Sequence, residues 1–560
     1  MIETYLNILK YNKANKNKKF LNKEIKILII SNTTNIFFKD IFRYFFLKNG
    51  YKININNVDE NKIIQQTEKI KKKKYDLVFV FFDIFLTRKI KDNNLNKIKE
   101  EVNYIIESFD NTVFFNSFVD AKSFFNVKVK DNQFAKKLNL HLKDQGNKNI
   151  KIVDVDHFLK YFKNYITIDK NQFKKNKIIY SSTFLQLYLY YLSGLIFNTI
   201  GCVKKVLILD CDNTLWPGIL SEEGKSQILK NIELPKNKKF KSFYKLINNF
   251  KKKGILLALN SKNNFSTVYN FFNKNYKFDL KFDDFIIKKI NWENKINNIV
   301  DISKELNLGT DSFIFVDDTP SELYLVEQNL KEINCFLFKN DDRSFTLLLK
   351  ILARIFNKER ITKEDKKKHL NYNQEIKRIK FRKKFNTRDQ YLSSLKMKMT
   401  ISFNKLENIK RYSQMTQKTN QFNFTTIRLS ELEVKNRILS KSNNVISFSL
   451  MDIYGNHGTT GLIFLKINNK KAIIENFLMS CRVFNRDAEN IFFNFVLMHL
   501  KQKGYLFIEG HYIKSNKNLI IKNFYKKYGF TFKNTNKFTL NLEGFRPIKT
   551  LNYECIKEKK

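Results

Sequence analysis

Two carboxylates separated by one residue close an apolar run in VLILDCDNTLW. Asp210 and Asp212 stand at i and i+2, so on an extended chain both side chains point the same way. Like charges held together must be paired, bind a cation or give up ionisation. Such a pair suits phosphoryl transfer, in which one carboxylate attacks phosphorus while the other manages the proton at the bridging oxygen. A hard cation such as Mg²⁺ takes oxygen ligands from the pair and from a further acidic strand end, and FVDDTPSE supplies one with Asp317 and Asp318. Ser261, in LALNSKNN, ends another apolar run and can hydrogen-bond a phosphoryl oxygen. Lys295, in INWENKINNI, can neutralise charge that develops there. Taken singly, Ser261 or Lys295 reads as an ordinary polar strand end or a solvated charge. Four such elements in this order point to one site.

That site needs strands that deliver these residues to one edge. KKVLILD (204–210), GILLALN (254–260) and SFIFVDD (312–318) are continuous apolar runs ending in a polar residue, as strands buried on both faces are. Amphipathic helical stretches separate them. The pattern predicts a parallel α/β sheet over 204–356, with function at the carboxyl ends of its strands. The stretch between Trp216 and Gly254 is too short for a large cap domain, so a substrate borne by a macromolecule can reach the site.

Upstream, ILIIS, YKININ, DLVFVFF, NTVFFNSF and NIKIVDV alternate with helical stretches and predict a first α/β domain over 26–175, after an N-terminal extension, 1–25. A connecting helix is expected over 176–203. Its apolar stretch from Phe184 to Ile200 is interrupted by Gln186, Ser193 and Asn198 and is short for a membrane span, so it reads as a buried helix. A charged linker, 357–400, leads to an α+β domain over 401–548. Strands are expected there at VISFSLMDI, GLIFLKI, KAIIENFLM and YLFIEGHYI, with a helix over 488–503 and a last helix ending at YKKYGF. Residues 549–560 form a tail.

Composition bounds the rest. The chain has 560 residues, 43% of them hydrophobic, enough for several cores. The formal net charge is +49, but Lys is spread from Lys10 to Lys560 rather than gathered on one tail. That spread points away from nucleic acid and equally suits an acidic protein partner. Five cysteines without CxxC spacing argue against a disulfide framework or a zinc site, and fit a cytoplasmic protein. The N-terminus lacks the apolar core of a signal peptide.

The order DxDxT, Ser, Lys, DD resembles the four motifs of the haloacid-dehalogenase (HAD) superfamily. Carried over, the resemblance makes Asp210 the nucleophile and Asp212 the general acid/base. Thr214, Ser261 and Lys295 hold the phosphoryl group, and Asp317 and Asp318 join the aspartate pair around Mg²⁺. LILDCDNTLWPGILSEEG closely resembles the signature of FkbH-like proteins, although Pro217 stands where that family has Gly. QMTQKTNQFNFTT, DIYGNHGTTG and FLMSCRVFNRDAE, in the third region, resemble the same family. The implied architecture is an SGNH-hydrolase-like domain, a HAD-type Rossmannoid domain without a large cap, and a GNAT-like acyltransferase domain. The implied activity takes a glyceryl unit from 1,3-bisphosphoglycerate, removes phosphate, and loads glyceryl onto a phosphopantetheinylated acyl carrier protein for polyketide-type biosynthesis.

Within that reading, Cys211 is a candidate acyl acceptor, opposed by repulsion from its two neighbouring carboxylates and by strand alternation. Cys481 is a second candidate, and direct transfer to the carrier's thiol is a third route. Arg482 and Arg486 are candidates for holding a pantetheine arm. Ser31 with Asp154 and His157 could imitate a hydrolase triad in the first domain. Two other readings stay open: a plain Mg²⁺-dependent phosphatase acting on a small metabolite or surface-glycan precursor, and a basic scaffold or nucleic-acid-binding protein.

Overall fold

The structure is a computed structural model that describes residues 2–15, 24–32, 36–59, 74–82, 92–109, 112–119, 133–145, 150–166, 180–273, 280–357, 372, 374, 378, 381–382, 384–468, 470–480, 483–484, 486–515, 517–534, 536–550 and 553–558. It divides into two compact units, Met1–Ile200 with Lys350–Ile355, and Gly201–Leu349 with Phe356–Lys560.

The first unit holds a parallel sheet of five strands, β1 (Ile25–Ser31), β2 (Ile53–Asp59), β3 (Leu77–Phe81), β4 (Val113–Asn116) and β5 (Ile150–Val153), in the order β2-β1-β3-β4-β5. All five arise from the apolar runs expected to form them. The helix Ser182–Thr199, expected as a connector, is part of this unit, and two of the residues that interrupt its apolar run, Gln186 and Ser193, have specific partners. Gln186 exchanges hydrogen bonds with the backbone of Glu3, at 2.9 and 3.0 Å. The supposed N-terminal extension thus contributes a packed helix, Tyr5–Ala14, whose Asn12 side chain donates to the carbonyl of Asp40 at 2.9 Å. Among the described residues no helix is long and apolar enough to cross a membrane.

The second unit carries two sheets. One is parallel, with β6 (Val206–Leu209), β7 (Leu256–Ser261), β8 (Ile287–Ile290), β9 (Phe313–Asp317) and β10 (Asn334–Leu337) in the order β10-β9-β6-β7-β8. The three central strands are the expected ones; β8 and β10 are edges the sequence reading did not place. The stretch between β6 and β7 forms two helices, Leu220–Glu233 and Lys238–Lys252, and no separate cap.

The other sheet has eight strands: β11 (Lys398–Phe403), β12 (Asn443–Asp452), β13 (Gly455–Asn468), β14 (Lys471–Met479), β15 (Phe507–His511), β16 (Thr531–Asn534), β17 (Lys537–Asn541) and β18 (Glu554–Lys557). Two stretches differ from expectation. The tail supplies β18, which pairs in parallel with β11, and β11 itself begins inside the supposed linker. That linker also sends Arg378 into the domain interior, where its guanidinium donates twice to Asp452, both at 2.6 Å.

β14 and β15 pair in parallel only over Lys471–Ile474 of β14. Beyond that point the extended segment Phe422–Phe424 lies between the chain stretches that carry the two strands onward. The Phe424 N–H donates to the Phe477 carbonyl at 3.0 Å, the Met479 N–H to the Phe422 carbonyl at 3.0 Å, and the Ile513 N–H to the Phe424 carbonyl at 2.8 Å.

The two sheets of this unit meet at the amino ends of the parallel strands. Lys517 pairs with Asp311, just before β9, and the Asn420 side chain donates to the Gly201 carbonyl at 2.9 Å, just before β6. Gly201 is required: its φ is +74°, and a Cβ would stand 2.6 Å from Arg428 Nη2. The carboxyl edge of the parallel sheet lies at the opposite ends of the same strands.

Asp452 also receives Arg486 Nη1 at 3.1 Å, and that nitrogen lies 2.9 Å from His457 Nε2. His457 Nε2 also lies 3.3 Å from Asp452 Oδ2. Burial, with Arg486 and Arg378 adding to it against the pull of Asp452, holds the His457 pKa down to about 4. An unfolded histidine titrates near ~6.5. As pH falls below that value the unfolded chain takes up a proton that the native ring refuses, so stability drops until the folded pKa is reached. Between pH ~7 and ~4.5 this amounts to about 2–3 kcal/mol. We expect His457→Gln to lose correspondingly less of its urea midpoint over that interval. Parallel losses in both proteins would contradict the assignment.

Candidate active site

β6, β7 and β9 deliver their last residues to one edge, and the side chains converge there. Asp210 follows β6 directly, with its backbone N–H donating to the Val316 carbonyl at 3.1 Å. Lys295 opens the helix Lys295–Leu306, whose N-cap, Asn294, accepts from the Ile296 N–H. Asn260 fixes that helix start by donating to the Lys295 carbonyl at 3.0 Å, and Asn298 in turn donates to Asn260 Oδ1 at 3.0 Å. The Lys295 ammonium, buried, lies 2.5 Å from Asp317 Oδ2 and 3.2 Å from Asp210 Oδ1. Asp317 is itself tied by its Oδ1 to the Thr319 N–H at 2.9 Å.

Oxygens of Asp210, Asp317 and Asp318 lie within 4.8 Å of one another. Three carboxylates face one ammonium, and burial makes the surplus negative charge costly. The consequences are visible in Asp210, Asp318 and Lys295. Burial pushes the Asp210 carboxyl well above its usual range despite Lys295, and Asp317 adds to the rise. Asp318 is raised by burial and by Asp317. For Lys295 burial acts against the charge, but Asp210 and Asp317 outweigh it and hold its pKa up. The cluster is short of positive charge, its donors are hard oxygens, and a divalent cation of the Mg²⁺ type fits it.

Asp212, expected among the metal ligands, does not join this group. The turn after β6 carries it elsewhere. Asn213 adopts φ +51° and exchanges hydrogen bonds with Gly218, its N–H donating to the Gly218 carbonyl at 3.2 Å and its Oδ1 accepting from the Gly218 N–H at 3.0 Å. Pro217 sits inside this closed turn. Asp212 Oδ1 then accepts from Trp216 Nε1 at 2.8 Å and from the Leu220 N–H at 3.0 Å, while Oδ2 accepts from Asn263 Nδ2 at 2.8 Å. The sequence reading missed Trp216, Asn260 and Asn263. Asn263 had a signal, since it lies in the same NSKNN stretch as Ser261, but Asn is abundant throughout the chain.

Of the phosphate-binding candidates, Ser261 is buried at the end of β7, beside Asp210 and Cys211. Thr214 is fully buried, and among the described residues its hydroxyl has no partner, a polar atom left for a ligand oxygen or water. Cys211 is fully buried, and burial together with Asp210 pushes its thiol well above the usual range, so the thiolate needed for acyl capture is disfavoured.

The outer candidates fare differently. Cys481 and Arg482 lie outside the described residues. Arg486 faces Asp452 and His457 inside its domain. In the first unit Ser31 is buried at the end of β1, but no triad forms around Asp154 and His157. The Asp154 carboxylate caps the helix Val155–Tyr161 by accepting from the His157 backbone N–H at 2.9 Å, and the His157 ring instead hydrogen-bonds the Tyr191 hydroxyl at 2.7 Å.

No family model matches the chain, and no curated protein matches it. Among solved structures, the phosphatase-domain-containing N-terminal part of a Bacteroides fragilis protein, complexed with Mg, is 23% identical, spans 62% of this chain and 97% of its own, and has a TM-score of 0.48. A spermidine N-acetyltransferase from Vibrio cholerae is 14% identical over 26% of this chain and 94% of its own, with a TM-score of 0.22. An N-acetyltransferase from Thermoplasma acidophilum in complex with coenzyme A is 16% identical over 25% of this chain and 98% of its own, with a TM-score of 0.21.

Proposed function

We propose that this chain is a Mg²⁺-dependent phosphoryl-transfer enzyme, and that its substrate is a phosphorylated three-carbon acyl compound whose glyceryl unit passes to an acyl carrier protein. The convergence of Asp210, Asp317 and Asp318 around the Lys295 ammonium carries the first part. Asp210, Asp317 and Asp318 would hold the cation, which when bound offsets their charge and that of the phosphoryl oxygens. Asp210 attacks phosphorus, and the bridging P–O bond breaks. The electron pair goes to the leaving oxygen, which takes a proton from Asp212. Water then attacks the aspartyl phosphate and returns a proton to Asp212, releasing phosphate and restoring Asp210. Ser261, Thr214 and Lys295 orient the phosphoryl oxygens.

The second part rests on the motif resemblance. An acyl phosphate gives its acyl group to a thiol with loss of phosphate, and the ester phosphate that remains is removed at the aspartate site. With Cys211 buried and its thiol disfavoured as a thiolate, direct transfer to the carrier's thiol is the route this reading retains. The same burial favours the second reading, a plain Mg²⁺-dependent phosphatase. Intact-mass analysis of a phosphopantetheinylated carrier protein, incubated with the full chain, Mg²⁺ and 1,3-bisphosphoglycerate, separates them. The expected product is a glyceryl adduct without phosphate. Phosphate release with an unmodified carrier would leave the plain phosphatase.

A further inference from the structure

Asp212 is held by three donors from two different loops, and they are unequally shared. Trp216 Nε1 and the Leu220 N–H both go to Oδ1, at 2.8 and 3.0 Å, and fill the two lone pairs of that oxygen. Among the described residues Oδ2 takes one donor, Asn263 Nδ2 at 2.8 Å, which leaves its other lone pair open. Trp216 cannot drift, since its ring is buried with its centroid 4.6 Å from that of Phe271. Asn263 is also fixed: it is 2% exposed, and its Oδ1 accepts from the Asn264 N–H at 3.0 Å. That bond decides the orientation of the amide, because a flip would set its oxygen against the carboxylate.

We propose that Asn263 is a positioning residue for phosphoryl transfer: by occupying one side of Asp212 Oδ2 it aims the remaining lone pair, and so the path of the proton to the leaving oxygen and back from water. This rests on the phosphoryl-transfer reading and goes beyond it, because Asn263 is not among the expected site residues and acts only through Asp212. With Asn263 removed, the Oδ1 donors still hold the carboxylate in place, but Oδ2 loses the donor that reserves one of its lone pairs, so the direction in which it gives and takes a proton is no longer set. The proton transfers should suffer, while cation binding at Asp210, Asp317 and Asp318 should not.

The test compares leaving groups in the full-length chain with Mg²⁺. Release of the leaving group is followed in single turnover for an alkyl phosphate, whose alkoxide needs a proton, and for p-nitrophenyl phosphate, whose phenolate does not. Asn263→Ala should slow the alkyl reaction about 10- to 100-fold and the p-nitrophenyl reaction less than about threefold. Hydrolysis of the aspartyl phosphate should slow by one common factor, whichever substrate formed it. Mg²⁺ affinity, titrated by calorimetry, should stay within about twofold. Asn263→Ser, with a shorter side chain, replaces the Ala variant if the latter does not fold. An equal loss on both substrates, or a weakened Mg²⁺ site, would overturn the positioning role alone. Absence of Mg²⁺-dependent release from either substrate by the unsubstituted protein would overturn the phosphoryl-transfer reading with it.

Discussion

Asp210→Asn should abolish phosphoryl transfer and at the same time raise the melting temperature of the metal-free protein. The first effect follows from losing the nucleophile: an amide does not attack phosphorus, and losses of about four orders of magnitude or more are usual for such a group. The second follows from the charge imbalance. Asp210 is buried beside Asp317 and Asp318, and both burial and Asp317 oppose its ionisation. An amide of the same shape removes that cost without stranding the ammonium, because Lys295 keeps Asp317 at 2.5 Å. A gain of about 1–2 kcal/mol, a few degrees in melting temperature, is the expected scale. Added Mg²⁺ should then stabilise the variant less than the unsubstituted protein, because a ligand stabilises in proportion to its affinity for the native state. Phosphate release reads the first effect, and thermal melting with and without Mg²⁺ reads the other two. A variant that melts lower in the absence of metal would show that Asp210 is structurally satisfied and not held against its charge.

The central strands were legible because burial on both faces forces long apolar runs, and because catalysis forces a polar residue at each end. VLILD, LLALNS and FIFVDD carry both signals at once. The edges carry neither. β8 reads IKKI, with two lysines facing partly outward, and β10 is the four-residue NCFL. A short edge strand needs only one apolar face, and its pattern merges with the neighbouring loops. The same holds for β18, whose residues are all exposed and which is defined by pairing with β11 rather than by any core residue of its own.

The site was legible where spacing alone fixes geometry and illegible where a turn redirects a side chain. The i, i+2 rule sends Asp210 and Asp212 the same way only while the backbone stays extended. β6 ends at Leu209, and the tight Asn213–Gly218 turn sends Asp212 toward Trp216 and Asn263. Nothing in the identities of Asp212 or Trp216 announces that bond. The third domain fails for a related reason. Arg486 was read as a candidate for holding a pantetheine arm from the resemblance of its segment to an acyltransferase fold, yet its partner is Asp452, which also takes Arg378 from the supposed linker. Pairing across such distances in the chain has no local signature.

Lys295→Met carries the opposite expectation to Asp210→Asn, and the two together test the charge argument. Methionine preserves the length of the side chain and its contacts but removes the one ammonium that Asp210 and Asp317 share. Two buried carboxylates are then left without a counter-charge, and breaking a buried pair from one side costs about 3–5 kcal/mol. The metal-free variant should therefore melt several degrees lower than the unsubstituted protein, where Asp210→Asn melts higher. Mg²⁺ supplies positive charge to the same three carboxylates, so it should restore much of the lost stability at concentrations well above its dissociation constant. Activity should not return with it, since the phosphoryl oxygens still lack the ammonium, and a loss of about 10²–10³-fold is expected even at saturating metal. If both substitutions shift the melting temperature in the same direction, or if Mg²⁺ fails to rescue Lys295→Met, the carboxylates do not form one electrostatic unit, and the metal-dependent reading of this edge of the sheet loses its basis.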